Sequence, residues 1–412
     1  MNASLFSRNV AALTPSATIA VSREAARLKA AGVNVVDLGA GEPDFPTPRL
    51  VVEAAERAMT AGRTKYAATE GILELRAAIA RRLSLLSNGR AVNADNLVVS
   101  NGSKQSLFNA CFCLFGARDK VLVPTPAWTS YPQIVHLTRA MPVEVPGDAQ
   151  WSLKVSVEDL DRFYDESVKG LILNSPVNPT GAVYTMAELK AIAEWAARKG
   201  VWIISDEIYR RIHYGNGNAP SFLDLPDELL ERVVVIDGAS KAYSMTGWRI
   251  GFALAPRELA QTMSALQSHT TSGANTIAMW AAVEAFGNEA VQADVEQMTA
   301  AFRRRRDGLV TWMRNELPGT EFVDPLGAFY LFFRVDELFT RHMPSATEFC
   351  RRLITDEGLA LVPGEAFGDD RWVRLSYAAS NDALKEGMTR LVRQFARLRS
   401  EAEPSKVSQL AR

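Results

Sequence analysis

The sequence predicts an α/β protein: a large domain built on a mostly parallel sheet flanked by helices, with a smaller α+β domain assembled from both chain ends. Three observations predict it. Short apolar runs alternate with longer amphipathic stretches, the βα rhythm of a parallel sheet. The 412 residues are enough for two domains with substantial cores. The texture also changes at each end, before Pro48 and near Pro318–Gly319.

The elements follow in order. Val21–Ala31 is spaced as a helix, and Val35–Leu38 reads as a short strand. In the large domain, residues 48–315, apolar runs at Leu97–Ser100, Lys120–Pro124, Gly170–Asn174, Val201–Ser205, Val233–Asp237 and Ile250–Leu254 read as strands. Lys104–Phe115, Met186–Lys199 and Arg257–His269 carry helical spacing between them. Gln292–Leu317, polar and Arg-rich, reads as a long helix joining the domains. In residues 316–399, Phe329–Arg334 and Val373–Ser376 are expected strands, and Thr347–Asp356 and Ala383–Arg399 expected helices. With residues 1–47 they would form the small domain. The polar tail 400–412, interrupted by Pro404, is expected to be disordered.

Lys plus Arg is 46 and Asp plus Glu is 47, a net charge of -1, which gives no electrostatic footprint for nucleic acid or an acidic membrane. The three cysteines, Cys111, Cys113 and Cys350, are too few for a disulfide framework and lack a His/Cys cluster for zinc. No apolar stretch is long enough to span a bilayer, and Met1–Pro15 lacks the pattern of a signal peptide. A cytoplasmic protein is expected.

The chemically suggestive residues fall where the expected strands end, and in open α/β sheets ligands bind beyond those carboxyl ends. Lys241 lies among small and apolar residues in Ser240-Lys241-Ala242-Tyr243-Ser244-Met245-Thr246-Gly247-Trp248-Arg249. Burial lowers a lysine pKa, and the neutral amine is the form that builds a Schiff base; a buried structural lysine is the alternative. With Arg249 available for a phosphate, the run suits covalently held pyridoxal 5'-phosphate. Ser103, in a small-residue turn opening a helix, and Ser240 suit the same phosphate, although a plain strand–helix turn has the same look. Asp206 in Ser205-Asp206-Glu207-Ile208-Tyr209 suits either a pyridine nitrogen or a helix N-cap. Tyr209 and Asn178 suit the ring's phenolic oxygen, Asn178 equally a turn. Trp128 suits either stacking on a ring or packing. Arg374, in Trp372-Val373-Arg374-Leu375-Ser376, suits a substrate carboxylate or the outer face of an amphipathic strand.

Three motifs, Asn-Ser-Pro-Val-Asn-Pro-Thr-Gly at 174–181, Ser-Asp-Glu-Ile-Tyr at 205–209 and Ser-Lys-Ala-Tyr-Ser-Met-Thr-Gly-Trp-Arg-Ile-Gly at 240–251, occur in this order. Over residues from about Pro15 to Arg399 the chain resembles the class I, fold-type I, pyridoxal-phosphate-dependent aminotransferases, and within them the Iβ subgroup that uses aspartate and, in some members, prephenate. The resemblance implies a seven-stranded-type sheet and a homodimer with shared active sites. Lys241 would hold the cofactor as a Schiff base and then shuttle a proton. Asp206 would face the ring nitrogen, Tyr209 and Asn178 the ring oxygen, and Trp128 the ring face. Ser103, the Lys104 backbone, Ser240 and Arg249 would hold the phosphate, and Tyr66 would reach the phosphate of the neighbouring subunit. Gly41, through its N–H, and Arg374 would take the substrate α-carboxylate; Lys104 and Thr18 would serve a distal carboxylate. Where the subgroup often has Lys-Pro-Ser-Ala-Thr, this chain has Thr14-Pro15-Ser16-Ala17-Thr18; that lysine is linked to prephenate, so its loss favours aspartate.

The expected activity is transfer of an amino group from an L-amino acid, aspartate first, to 2-oxoglutarate by a ping-pong route. The rivals are an aminotransferase for aromatic or other amino acids or prephenate, a C–S or β-lyase on the same fold, and a non-enzymatic regulator. The last would want a DNA-binding module and a basic face that the sequence does not offer.

Overall fold

The computed structural model describes residues 7–10, 13–15 and 17–410. Its centre is a seven-stranded sheet in the order Leu97–Asn101, Ile250–Leu254, Val233–Gly238, Trp202–Asp206, Val168–Asn174, Lys120–Thr125, Met141–Pro146. Ile250–Leu254 runs antiparallel to both neighbours, and the other adjacent pairs are parallel. The α/β expectation holds.

The central strands are largely apolar because both faces of the sheet are covered. Alternate residues enter different cores. Leu171, Leu173, Ile203, Val233 and Val235 pack on one side, while Ile172, Ile204, Val234 and Ile236 pack on the other. Helix Met186–Lys199 shows why its bounds were legible. Thr185 and Glu188 form a reciprocal capping box, and Gly200 ends the helix at φ 69°. Leu189, Ile192, Ala193 and Trp195 form its buried stripe.

A second core gathers residues 208–214, the C-terminal half of the long helix Glu289–Glu316, and residues 328–398. A four-stranded antiparallel sheet lies in this region, ordered Val362–Pro363, Trp372–Ser376, Tyr330–Arg334, Phe322–Val323. The N-terminal strand Val36–Asp37 pairs in parallel with Leu359–Ala360, so the two chain ends meet. The long helix spans the two cores: Val291 and Val295 pack in the first, Phe302, Leu309 and Met313 in the second.

Helix Ala17–Ala30 begins four residues before the expected start. The last helix, Asn381–Leu410, continues through the expected disordered tail and past Pro404. A proline within a helix removes one backbone bond, which is why the sequence alone argued for an end there.

One close approach sets the edge on which the site is built. A Cβ at Gly251 would lie 2.1 Å from the Ser103 nitrogen and 2.4 Å from the Gly102 carbonyl carbon, so the strand can touch the start of helix Ser103–Leu114 only as glycine. These are backbone atoms and cannot rotate away. Gly251→Ala should therefore cost about 1–3 kcal/mol of stability as overpacking does, read as a lowered urea midpoint; an unchanged midpoint would show that the helix start moves freely.

Candidate active site

Parallel strands end together, so residues just beyond them are neighbours in space. Asn174 and Asp206 are register partners at two such ends. Segment 239–249 leaves the end of Val233–Gly238 and returns as the antiparallel strand Ile250–Leu254, placing Ser240, Lys241 and Arg249 on the same edge. Asn101 pairs with Ile250, which brings in Ser103. The second sheet contributes Arg374 and Tyr330, and the N-terminal segment contributes Thr18 and residues 39–42. Together they line one cavity of about 570 Å³.

Of the residues singled out in the sequence, the cavity collects Thr18, Gly41, Ser103, Lys104, Trp128, Asn178, Asp206, Tyr209, Ser240, Lys241, Arg249 and Arg374. Tyr66 is not among them; it is 95% exposed beside a separate depression with Asn101 and Gly273. Thr14 also lies outside the cavity lining, its N–H donating to Gln133 Oε1 at 3.2 Å.

The Lys241 amine donates to the Gly41 carbonyl at 2.6 Å. Burial pushes its pKa down to about 8; Glu42 opposes the shift, and Arg374 and Arg249 reinforce it. Asp206 is buried, and burial raises its pKa. The opposing influences are Tyr131, whose hydroxyl donates to Asp206 Oδ2 at 2.8 Å, the Ile208 N–H, and the Lys241 charge. Asp206 Oδ1 accepts from Ile208 N at 3.2 Å within a turn; no helix begins there among the described residues, so the N-cap alternative does not hold. Asn174 Nδ2 donates to the Asp206 carbonyl at 2.8 Å, and Asn174 Oδ1 accepts from Asn178 N at 2.8 Å. The loop that carries Asn178 is thereby tied to the strand that carries Asp206.

Arg374 is the clearest departure from the plain sequence reading. Its strand is buried throughout, and the guanidinium faces the cavity at 2% exposure. It donates to Asn178 Oδ1 at 2.9 Å and to the Gly39 carbonyl at 2.7 Å, and lies 4.4 Å from the Tyr330 ring centre. Its buried Nε has no hydrogen-bond partner among the described residues, although orphaned buried donors are costly. At the other end, the Lys104 amine sits 4.7 Å from the Trp128 ring centre, and burial together with Arg249 lowers its pKa. Arg249, at φ 58°, reaches back to the Thr246 and Asn101 carbonyls at 2.9 and 3.3 Å. A Cβ at Gly102 would lie 2.2 Å from Arg249 Nη2.

Sequence reasoning missed Tyr330, whose hydroxyl bonds that of Tyr209 at 2.8 Å, and also Tyr131, Asn174 and Glu42. Asn174 stood inside a quoted motif and had a signal. Tyr330 and Tyr131 read as core aromatics, and nothing in their spacing marked them. Gly41 was expected to offer its N–H; its carbonyl is the group in use here.

A sheet with a lysine of lowered pKa, a buried aspartate and an anion-ready helix start at one edge defines a pyridoxal-phosphate-dependent enzyme of fold type I. The family model described as aminotransferase class I and II matches residues 33–391, and the chain belongs to that family. It is 41% identical over 387 residues to an aspartate aminotransferase of Geobacillus stearothermophilus, covering 94% of this chain and 98% of the relative. It is 40% identical over 382 residues to a probable aspartate/prephenate aminotransferase of Aquifex aeolicus, covering 93% and 96%. Among solved structures, the aspartate aminotransferase of Thermus thermophilus with maleate superimposes with a TM-score of 0.89 at 39% identity, over 94% of this chain and 99% of that one. The chain is a pyridoxal-phosphate-dependent aminotransferase.

The residues fit that cofactor. Ser103, at the start of its helix, with Ser240 and Arg249 makes a donor set for a phosphate, Asp206 is an acceptor for a ring nitrogen, and Lys241 lies in the same cavity.

The Lys241 shift is open to direct test in the cofactor-free protein. Its folded pKa lies below the ordinary 10.5, so the unfolded chain binds more protons between about 8 and 10.5, and stability contributed by this group rises with pH across that window. Acylation of Lys241, followed by peptide mapping across pH, should be half-maximal near pH 8. A midpoint near 10.5 would remove the claim that burial lowers the pKa of this amine.

Proposed function

We propose that the chain transfers the amino group of L-aspartate to 2-oxoglutarate by a ping-pong route, as a cytoplasmic homodimer. The observation that carries the substrate assignment is that one cavity holds both a buried arginine with a spare donor, Arg374, and a second cation, Lys104. Two cations suit a substrate with two carboxylates. Relatives named as aspartate aminotransferases support the same reading. No helix among the described residues is long and apolar enough to cross a membrane.

Bound pyridoxal phosphate supplies a protonated ring that withdraws electrons from the substrate's Cα. Lys241 would hold its aldehyde carbon, Asp206 its ring nitrogen, Asn178 and Tyr209 its phenolic oxygen, and Trp128 its ring face. Ser103, Ser240, Arg249 and the Lys104 N–H would hold its phosphate. Arg374 binds the substrate α-carboxylate through the fork that now reaches Gly39 and Asn178, with Gly41 beside it. Lys104 and Thr18 receive the distal carboxylate. The freed Lys241 amine would take the proton from the substrate's Cα; a pKa of about 8 leaves it partly neutral near physiological pH. Tyr209, Tyr330 and Tyr131 form a buried wall of the same cavity.

Prephenate is the less favoured substrate, because Thr14 stands where the subgroup often has lysine.

A panel of amino donors with 2-oxoglutarate tests the reading, with Lys104→Ala and the stem-preserving Lys104→Met beside wild type. A charge-assisted hydrogen bond is worth about 1.5–3 kcal/mol. Both variants should therefore lose roughly 10- to 150-fold in kcat/KM on aspartate and little on alanine. Equal loss on both donors would refute the role of Lys104, and pyruvate plus ammonia formed without an oxo-acid acceptor would refute aminotransfer.

The homodimer reading is supported by Tyr66, an aromatic left 95% exposed, which would reach the neighbouring subunit's phosphate. Sedimentation of the holoenzyme should give a dimer, and Tyr66→Phe should weaken cofactor retention. A fully active monomer would overturn it.

A further inference from the structure

The cavity is lined by five cationic side chains, Arg23, Lys104, Lys241, Arg249 and Arg374. Four are accounted for by contacts. Lys241 holds the Gly41 carbonyl, Arg249 holds the Thr246 and Asn101 carbonyls, Arg374 holds Asn178 and the Gly39 carbonyl, and Lys104 lies over Trp128. Arg23 alone has no hydrogen bond, ion pair or ring contact among the described residues.

Its position follows from its helix. On Ala17–Ala30, residues Thr18, Ile19, Ser22, Arg23 and Ala26 line the cavity, the stripe that a period of 3.6 places on one side. The opposite stripe of Val21, Ala25 and Leu28 packs with Val35, Ile354 and Ala360. The helix is therefore anchored by one face and presents the other as a cavity wall. The sequence also denies Arg23 a local partner. Four residues on stands Arg27, a like charge already paired with Glu24, and four residues back stands Ile19. The carboxylates that line the cavity are engaged elsewhere: Glu42 accepts from Thr246 Oγ1 at 2.8 Å, and Asp206 accepts from Tyr131.

We propose that Arg23 is a specificity-determining residue, the second cation for the distal carboxylate of a dicarboxylic substrate, acting with Lys104. This rests on the dicarboxylate reading above. A guanidinium offers a planar two-donor fork to a carboxylate where an ammonium offers a point charge. Its long stem, unconstrained by a partner, lets the fork meet carboxylates at more than one depth in the cavity. A four-carbon amino donor and a five-carbon oxo-acid acceptor differ in that depth.

The test uses the holoenzyme with Arg23→Ala and Arg23→Lys. Two readouts are taken: kcat/KM for aspartate and for alanine with 2-oxoglutarate, and the dissociation constants of succinate and butyrate. These unreactive four-carbon acids differ by one carboxylate, and the cofactor's absorbance follows their binding. Arg23→Ala should lower kcat/KM about tenfold or more on aspartate and less than about twofold on alanine. It should weaken succinate about tenfold and leave butyrate unchanged, and Arg23→Lys should restore part of the loss. An unchanged preference for aspartate and succinate, or an equal loss on all four ligands, would overturn the assignment of Arg23. Wild type separates the two proposals: if it favours neither aspartate over alanine nor succinate over butyrate, the dicarboxylate reading falls and takes this one with it. If it favours them and Arg23→Ala keeps the full preference, only the role of Arg23 falls.

Discussion

The site depends on how the loop at residues 39–47 is held between two sheets. From the large sheet, Lys241 donates to the Gly41 carbonyl, the Ser244 hydroxyl donates to the Phe45 carbonyl, and Thr47 donates to the Ser244 carbonyl at 2.7 Å. From the antiparallel sheet, Arg374 donates to the Gly39 carbonyl. From the long helix, Arg305 forks onto Asp44 with contacts of 2.7 and 2.8 Å, its guanidinium packed against Phe45 and Phe302. An irregular loop has carbonyls that no ladder satisfies, and here two cations and a hydroxyl supply the donors. The consequence is that Lys241 and Arg374, which come from different sheets, are indexed to the same short stretch of backbone.

That stretch also explains the electrostatics. Lysine and arginine both lose hydration in the cavity, and both pKa values move down for that reason first. Carbonyl dipoles offset part of the cost without contributing a full negative charge. A carboxylate in the wall at this point would pair with the cations and compete with any acid that entered. Glu42 comes nearest to doing so, since it raises the Lys241 pKa, but its carboxylate is already engaged by Thr246. The unfilled Nε of Arg374 belongs to the same arrangement: a buried donor whose desolvation a bound carboxylate would offset.

Much of this was legible in the sequence, and the physics says which part. Lys241 and Asn178 lie in loops, and Asp206 at a strand end, where small residues, turn residues and isolated charges break an apolar pattern, so each stands out locally. The strands were legible where both faces are buried. Met141–Pro146 was missed because Pro142 and Pro146 argue against a strand, yet it is an edge strand, the place where proline is tolerated. Helix Thr276–Gly287 was missed because it is apolar on nearly every side and shows no amphipathic stripe. Tyr131 and Tyr330 could not be found, since each is a sound core residue by pattern and differs only in what its hydroxyl meets. Arg374 was ambiguous for the opposite reason: one charge in a strand is usually outward, and only the covering of both faces makes it inward.

The two ends of the cavity are built differently, and the difference bears on what a two-substrate enzyme needs. At the Arg374 end, a 2% exposed guanidinium is fixed by two hydrogen bonds and an aromatic face, so a carboxylate bound there is placed with little freedom. At the Lys104 end, the ammonium lies over the Trp128 ring without a hydrogen bond among the described residues, and the neighbouring helix adds Arg23, which has none either. On the proposed reading, the rigid end takes the group that donor and acceptor share, the carboxylate next to the reacting carbon. The loose end takes the group whose distance differs between them. Fixing both ends would favour one chain length and oppose the other. Loosening both would misplace Cα relative to Lys241, and a displacement of about 1 Å can cost on the order of a hundredfold in rate. Rigidity is therefore needed where the proton moves, and adaptability can be tolerated only where it does not.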